Sequence, residues 1–279
     1  MTIEEMKELY SKGFSTNEIA KLAGFKTGKS ISDKLKASGF MLRTSHEAKQ
    51  LKKTYSEDIF EKLVHPWQAY YLGLLLTDGW ITGERTIGYS SVDKDVVEYI
   101  SCFTGKSVQT ILREGRVIGP QGKEINRQIE YRVALSSKKM IKDLERLGIV
   151  HRKTKILEGP NLLVEELPFL KYILRGIIDG DGTLGFPSNY ESTMYFRIVS
   201  ASKDFILWCK WALEVLGMTE LKTRSISKDY FELYSAKPAN LAILALSIYK
   251  GTMGMERKAN KVKHHFFTHT IGRLSEKSE

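Results

Sequence analysis

The chain has 279 residues, of which 42% are hydrophobic and 27% charged, a balance that fills a core and excludes a wholly disordered chain. Its 43 Lys and Arg against 33 Asp and Glu leave a formal charge of +10. That excess favours a polyanionic partner, either nucleic acid or an acidic membrane surface, although the same charge also serves solubility alone. Cys102 and Cys209 have neither the spacing of metal ligands nor the number needed for a disulfide framework. The start MTIEEMKELY lacks the apolar core of a secretory leader, and the longest apolar run, Tyr70 to Leu76, is too short to cross a bilayer. A reduced, intracellular, soluble protein is expected. His264 and His265, with His269 close behind, sit in a basic tail; metal binding is one reading, a solvated tail the preferred one.

Residues 1–45 read as a small helical module. Ile3 to Lys12 has helical periodicity and stops at Gly13. Ser15-Thr16-Asn17-Glu18 is a capping box that opens a helix from Thr16 to Leu22. Lys29 to Ala37 forms a further helix ending at Gly39, with Ile31 and Leu35 facing inward. Helix, Gly-bearing turn, helix is the helix-turn-helix pattern. Its last helix offers Lys29, Ser30, Ser32, Lys34 and Lys36 as candidate DNA contacts. A small bundle with a solvated charged face is the alternative. Arg43 to Tyr55 is Lys-rich and poor in hydrophobics, so residues 46–65 are expected to act as a linker.

The rest of the chain repeats itself once. Pro66 and Pro168 head two apolar stretches, Ser91-Val92-Asp93-Lys94-Asp95 matches Ser200-Ala201-Ser202-Lys203-Asp204, and Ser136-Ser137-Lys138 matches Ser235-Ala236-Lys237, each pair roughly 100 residues apart. Three landmarks in the same order argue for half-domains at 66–150 and 168–265, joined by a connector at 151–167 and followed by a tail at 266–279. Each half reads as helix, two strands, helix, two strands, helix, giving an α+β fold. In the first half the strands are Trp80 to Thr82, Thr86 to Ser91, Val108 to Arg113 and Arg127 to Leu135, with Glu114 to Asn126 as a hairpin tip. In the second, Met194 to Ser200 alternates, setting Tyr195 and Arg197 opposite Phe196 and Ile198. Lys222 and Arg224 share one face of a later strand, before a turn at Ser227-Lys228-Asp229. Strands of this kind are half-buried, with a basic and aromatic face left to solvent; ordinary surface strands would read alike on charge alone.

The two apolar helices carry the chemistry. Each opens on a first-turn Pro and holds a mid-helix Gly, Gly73 or Gly176, at a cost of about 1 kcal/mol relative to Ala. Such glycines point to helices packed backbone to backbone. Each helix ends in Asp-Gly, Asp78-Gly79 or Asp181-Gly182, with the glycine suited to a left-handed C′ position. A carboxylate at a helix C-terminus faces the negative end of the dipole, a penalty of about 0.3–1 kcal/mol, and two such carboxylates brought together raise each other's pKa. Hard divalent cations, magnesium above all, reverse that penalty, and the Thr77 and Gly180 carbonyls could complete part of the shell. A lone Asp-Gly is ordinarily a turn; two at the ends of matched helices are not.

Tyr71-Leu72-Gly73-Leu74-Leu75-Leu76-Thr77-Asp78-Gly79 and Leu174-Arg175-Gly176-Ile177-Ile178-Asp179-Gly180-Asp181-Gly182 resemble the two LAGLIDADG motifs of single-chain homing endonucleases. The second is close to the family consensus. The first has Leu76 where the motif often has an acid, and both keep the later Asp. The resemblance extends over residues 66–265, including an αββαββα pattern in each half and Met255-Glu256-Arg257-Lys258 near its end. The N-terminal module resembles helix-turn-helix appendages of some such enzymes.

The resemblance implies two pseudo-symmetric half-domains meeting at the motif helices, in a monomer that binds double-stranded DNA. Their antiparallel sheets would form saddles in the major groove, with Arg132, Tyr195, Arg197, Lys222 and Arg224 as candidate contacts. Asp78 and Asp181 would hold metal ions over the two scissile phosphates, giving double-strand breaks with short 3′ overhangs. Lys138 and Lys237 are candidates for the basic residues the family places near the phosphate, with a surface lysine at a helix start as the alternative. A bacterial or phage origin, free-standing or in an intron, fits this family. Two other functions use the same scaffold. A non-cleaving, sporulation-type DNA-binding regulator carries its helix-turn-helix at the other end of the chain and need not keep the motif aspartates. An intron RNA maturase can coexist with the nuclease. An intein is disfavoured, because the chain starts at Met1 and ends Lys277-Ser278-Glu279.

Overall fold

The computed structural model describes the whole chain except residues 52, 113–115, 119–123, 127, 187–193, 252 and 272–279. It divides into two compact units, Met1–Thr54 and Tyr55–Glu279.

In the first unit, side-chain caps start the helices. Thr2 pairs with Glu5 at the head of α1 (Ile3–Ser11), and Ser15 with Glu18 at the head of α2 (Thr16–Leu22). The turn into α3 (Gly28–Ala37) is tight: the Gly28 amide donates to Asn17 Oδ1 at 3.0 Å, and a Cβ at position 28 would lie 2.3 Å from that oxygen. Met6, Tyr10, Ile19, Ala20, Ile31 and Leu35 form the core of this unit. Part of the expected linker is helical. α4 (Ser45–Gln50) starts where the Thr44 hydroxyl accepts from the Glu47 amide and the Glu47 carboxylate accepts from the Thr44 amide. That reciprocal cap supplies a start signal which the low hydrophobicity of the stretch had hidden.

The second unit is built from two halves of one topology. In the first half, α5 (Pro66–Thr77) leads into β1 (Gly79–Thr82), β2 (Thr86–Ser91), α6 (Lys94–Thr104) and β3 (Gln109–Ile111). β4 (Arg116–Ile118) and β5 (Glu124–Asn126) follow, then β6 (Glu130–Ser136) and α7 (Lys138–Arg146). In the second half, α8 (Leu170–Gly180) leads into β7 (Gly182–Gly185), β8 (Tyr195–Ser200), α9 (Lys203–Val215), β9 (Lys222–Ser227), β10 (Tyr230–Ser235) and α10 (Pro238–Ile243). The antiparallel sheets run β1-β2-β6-β3 and β7-β8-β10-β9, the same order in matched strands. Register repeats as well: Gly79 opposes Tyr89 and Tyr89 opposes Val133, just as Gly182 opposes Ile198 and Ile198 opposes Leu233. The chain is thus an α+β protein of two pseudo-symmetric αββαββα half-domains, preceded in sequence by a small helical unit.

Several expectations need correction. The hairpin tip is not plain coil, because β4 and β5 pair there as a separate two-stranded ribbon; residues 113 and 127, placed at the ends of expected strands, lie outside the described residues. Pro168 does not open α8. It sits in a 3₁₀ segment, Val164–Phe169, that precedes the helix. Residues 55–65 are more than linker, since Ile59, Phe60 and Leu63 are buried in the core of this unit. β9 is exposed along its whole length, as an edge strand rather than a half-buried one. The basic tail is not wholly solvated either. α11 (Glu256–His265) buries His265 against Phe186, with ring centroids 5.6 Å apart. No helix among the described residues is long and apolar enough to cross a membrane.

Candidate functional site

α5 is buried all round from Gln68 to Leu76, and α8 from Ile173 to Asp179, so each helix lies inside the unit rather than on its surface. They cross at their glycines. A Cβ on Gly73 would lie 2.2 Å from the Ile173 carbonyl oxygen, and one on Gly176 would lie 2.3 Å from that of Tyr70. The helix ends converge just as closely. A Cβ on Gly180 would lie 2.1 Å from Thr77 Oγ1 and 3.2 Å from Asp78 Oδ2, which sets the Asp78 carboxylate against the backbone one residue before Asp181.

Gly79 and Gly182 do not adopt the left-handed conformation expected of them. They begin β1 and β7 pressed against the preceding helical turn, where a Cβ would fall 2.5 Å from the Leu75 carbonyl oxygen or 2.4 Å from that of Ile178. Close approach, not positive φ, is what requires glycine there.

Asp78 and Asp181 are the C-cap residues of α5 and α8. Both residues are exposed by surface area, and it is the protein packed on the inner side of each carboxylate that costs it solvation. Burial raises the Asp78 pKa, while the neighbouring Lys153 and Lys258 charges oppose the rise. Asp181 is pushed up to about 6, by burial first and by the Asp78 charge second. On the Asp78 side a cleft of about 500 Å³ opens between Ser90, Asp93, Glu130, Gly180 and Arg257.

Two lysines to which the sequence assigned no site role hold these helix ends, although Lys258 belongs to the Met255–Lys258 stretch noted above. Lys153 Nζ donates to the carbonyls of Thr77 at 3.1 Å and Gly79 at 2.9 Å. Lys258 Nζ donates to those of Ile178 at 2.7 Å, Asp179 at 2.7 Å and Gly182 at 2.6 Å, with Gly180 at 3.4 Å. Each ammonium sits at the negative end of a helix dipole, where free carbonyls need donors. Burial lowers the pKa of both lysines, that of Lys258 to about 8. A repeated Arg-Lys pair, Arg152-Lys153 and Arg257-Lys258, was the available signal.

Lys138 and Lys237 lie elsewhere. Lys138 pairs with Glu84 at 2.7 Å, at the hairpin turn on the far end of β1 from Asp78. Lys237 binds Thr219 at 2.8 Å and Glu220.

The proposed contact residues on the sheets share the solvent-side faces. Arg132 lies over the Trp80 ring at 5.0 Å, with Gly88 beneath it leaving room for the indole. Arg197, Tyr195, Lys222 and Arg224 occupy one face of the second sheet, with Tyr195 packed on Tyr234 at 5.6 Å. Glu232, only 1% exposed, lies within that basic face, with Arg224 at 3.0 Å and Arg197 at 3.6 Å. In the helical unit, Lys29, Lys34 and Lys36 are exposed along α3, while Ser30 and Ser32 are half-buried.

The donor set at the helix ends is all oxygen: two carboxylates, with the Thr77 and Gly180 carbonyls beside them. That chemistry fits a hard divalent cation, which would relieve the charge crowding at Asp181. No cluster of three or more His, Cys, Asp or Glu side chains occurs among the described residues. Any ion here would therefore need waters or a ligand's own oxygens to fill its shell.

No family model matches the chain, and no curated protein resembles it significantly in sequence. Solved structures do align with it. The LAGLIDADG meganuclease I-AabMI bound to uncleaved DNA matches at 13% identity over 76% of this chain and 92% of that one, with a TM-score of 0.46. Meganuclease I-SmaMI bound to uncleavable DNA with a TTGT central four matches at 14% over 80% and 92%, TM-score 0.46. Full-length DUF199/WhiA from Thermatoga maritima matches at 13% over 81% and 73%, TM-score 0.44. At such identities and scores, neither activity nor site residues transfer to this chain. They have to come from its own geometry.

Proposed function

We propose that this chain is a site-specific, metal-dependent DNA endonuclease that cuts both strands of a long target and leaves short 3′ overhangs. One observation carries the reading: two aspartates terminate paired, pseudo-symmetric helices side by side, each helix end held by a lysine, Lys153 of the connector or Lys258 of the second half. Two equivalent acidic centres around a pseudo-twofold suit two antiparallel strands that present equivalent phosphodiesters. A regulator that only binds DNA has no chemical use for paired carboxylates set at two matched helix ends.

Asp78 and Asp181, with the Thr77 and Gly180 carbonyls, would hold divalent cations, Mg²⁺ being the natural choice for oxygen ligands. When bound, such ions polarise phosphoryl oxygens and activate water. The Thr77 carbonyl already accepts from Lys153, but a carbonyl has a second lone pair to offer. Lys153 and Lys258 place fixed positive charge beside each aspartate, where it offsets the negative charge of an incoming phosphate. The basic faces bearing Arg132, Arg197, Lys222 and Arg224 grip the duplex on either side of the cut. Lys29, Ser30, Ser32, Lys34 and Lys36 of the helical unit add contacts. Deleting residues 1–45 is expected to weaken binding and reduce its salt dependence while leaving cleavage at saturating protein intact.

The deciding experiment is incubation with a randomised duplex library and Mg²⁺, followed by sequencing of the ends. Discrete double-strand cuts at one sequence support the endonuclease. Specific binding without cutting under several divalent cations would overturn it in favour of a regulator.

A further inference from the structure

We propose that Asp179 is a positioning residue for Lys258, and that through it Asp179 governs the cutting of one DNA strand only; this rests on the nuclease reading above. Asp179 is fully buried on α8, two residues before Asp181. Its Oδ2 accepts from Arg175 Nε and the Tyr70 hydroxyl, each at 2.9 Å, and from the Met255 amide at 3.0 Å. Its Oδ1 accepts from the Tyr249 hydroxyl at 2.8 Å.

The Met255 bond is the informative one, because Met255 is the N-cap residue of α11. Amides at a helix start lack intrahelical acceptors, so whatever binds them sets where the helix begins. Here the anchor is a carboxylate that cannot itself move. Arg175 holds it, and Arg175 in turn donates to the Met253 carbonyl at 2.7 Å and lies 3.6 Å over the Tyr249 ring. Gly254 lets the backbone close on it, since a Cβ there would fall 2.5 Å from Asp179 Oδ2. Lys258 stands in the first turn of α11, with its ammonium on the carbonyls around Asp181. A short rigid path therefore runs from Asp179 through Met255 to Lys258.

Among the described residues the first half has no such path. By the repeat, Leu72 and Leu76 stand where Arg175 and Asp179 stand, and both are buried in apolar packing. Lys153 arrives instead on a 3₁₀ turn, Lys153–Lys155, preceded by Arg152 at φ 56°. A buried ion pair that served only stability would weaken both centres alike when broken. A positioning residue weakens the Asp181 centre alone.

The test is Asp179→Asn, which keeps the side-chain shape and removes the charge. Without DNA, limited acetylation by acetic anhydride is read by peptide mass spectrometry as the ratio of Lys258 to Lys153 labelling. That ratio is expected to rise about fivefold as α11 loosens; an unchanged ratio overturns the proposal. With supercoiled plasmid carrying the site selected by the wild-type protein, the variant is expected to accumulate nicked circle. One strand should be cut at the wild-type rate and the other about tenfold more slowly, short of the roughly hundredfold that a 1 Å misplacement can cost. Equal slowing of both strands overturns the proposal. A remote core truncation, Leu144→Ala, should destabilise the protein and move neither ratio. If the wild type cuts nothing, the nuclease reading fails, while the labelling still decides whether Asp179 positions Lys258. Should Asp179→Asn not fold, hydrogen exchange of the wild type decides instead. The Met255 amide is expected to be protected as strongly as the amides of α8, and exchange at loop rates overturns the proposal.

Discussion

The two motif-helix ends share one geometry and differ in what stands behind it. Asp78 and Asp181 occupy matched C-cap positions, and each helix end is held by a lysine. Behind Asp181 lies a buried ionic network, Arg175–Asp179 with Tyr70 and Tyr249; behind Asp78 lie Leu72 and Leu76. Glycines and apolar side chains form the helix crossing, and the network touches it through the Tyr70 hydroxyl, which donates to Asp179 at 2.9 Å. The network adds something beyond packing, which is the fixed entry of α11. Buried ion pairs are weak contributors to net stability, so its value lies in where it sets Lys258.

The sharpest way to break the comparison is to put an acid into the first half without its partners. Leu76 is 2% exposed and, by the repeat, faces Leu72 rather than an arginine. Leu76→Asp should cost about 3–5 kcal/mol in denaturant unfolding, the penalty of an unpaired buried charge. The lysines test whether the centres are equivalent. Lys153→Met and Lys258→Met should each slow cutting at their own centre by about a hundredfold, or 2.7 kcal/mol. Strand-resolved kinetics would check this, and loss on both strands from either change would argue against separate centres. The helix crossing is common to both halves. Gly73→Ala and Gly176→Ala should each destabilise by about 1–3 kcal/mol, because each Cβ meets backbone that cannot yield.

The smallest effect is electrostatic. The Asp181 pKa of about 6 lies above the ordinary carboxylate value of 3.8, so folding favours its protonated form. Stability of the metal-free protein from this group is fully present below pH 4 and is lost as pH rises through about 6. Asp181→Asn should therefore stabilise the metal-free protein at pH 7.5 by about 1 kcal/mol, discounted for its solvent-facing edge, and by nothing at pH 4. Paired thermal melts at the two pH values would show it.

Much of this site was legible in the sequence because its constraints are local or repeated. Mid-helix glycines and terminal aspartates in two copies imply packed helices and crowded carboxylates, with no knowledge of the rest of the fold. The half-domain order followed from the same repeat. The lysines were harder, because no local pattern ties Lys153 or Lys258 to a helix end about 75 residues upstream. Lys138 and Lys237 drew attention by matching each other, and the fold sends both to surface carboxylates. Gly79 and Gly182 were read through a common helix-ending rule, whereas a strand leaving directly from the helix end imposes close contact instead. Glu232 gives no signal in the sequence, because a lone acid in a strand does not show that two arginines will pair with it.

The most direct test of the account is strand-resolved cleavage of the selected target by Asp78→Asn and Asp181→Asn, with DNA affinity measured alongside. Each variant is expected to bind as the wild type does and to lose cutting, with a different strand more severely affected in each. Cutting by either variant at the wild-type rate on both strands would contradict it.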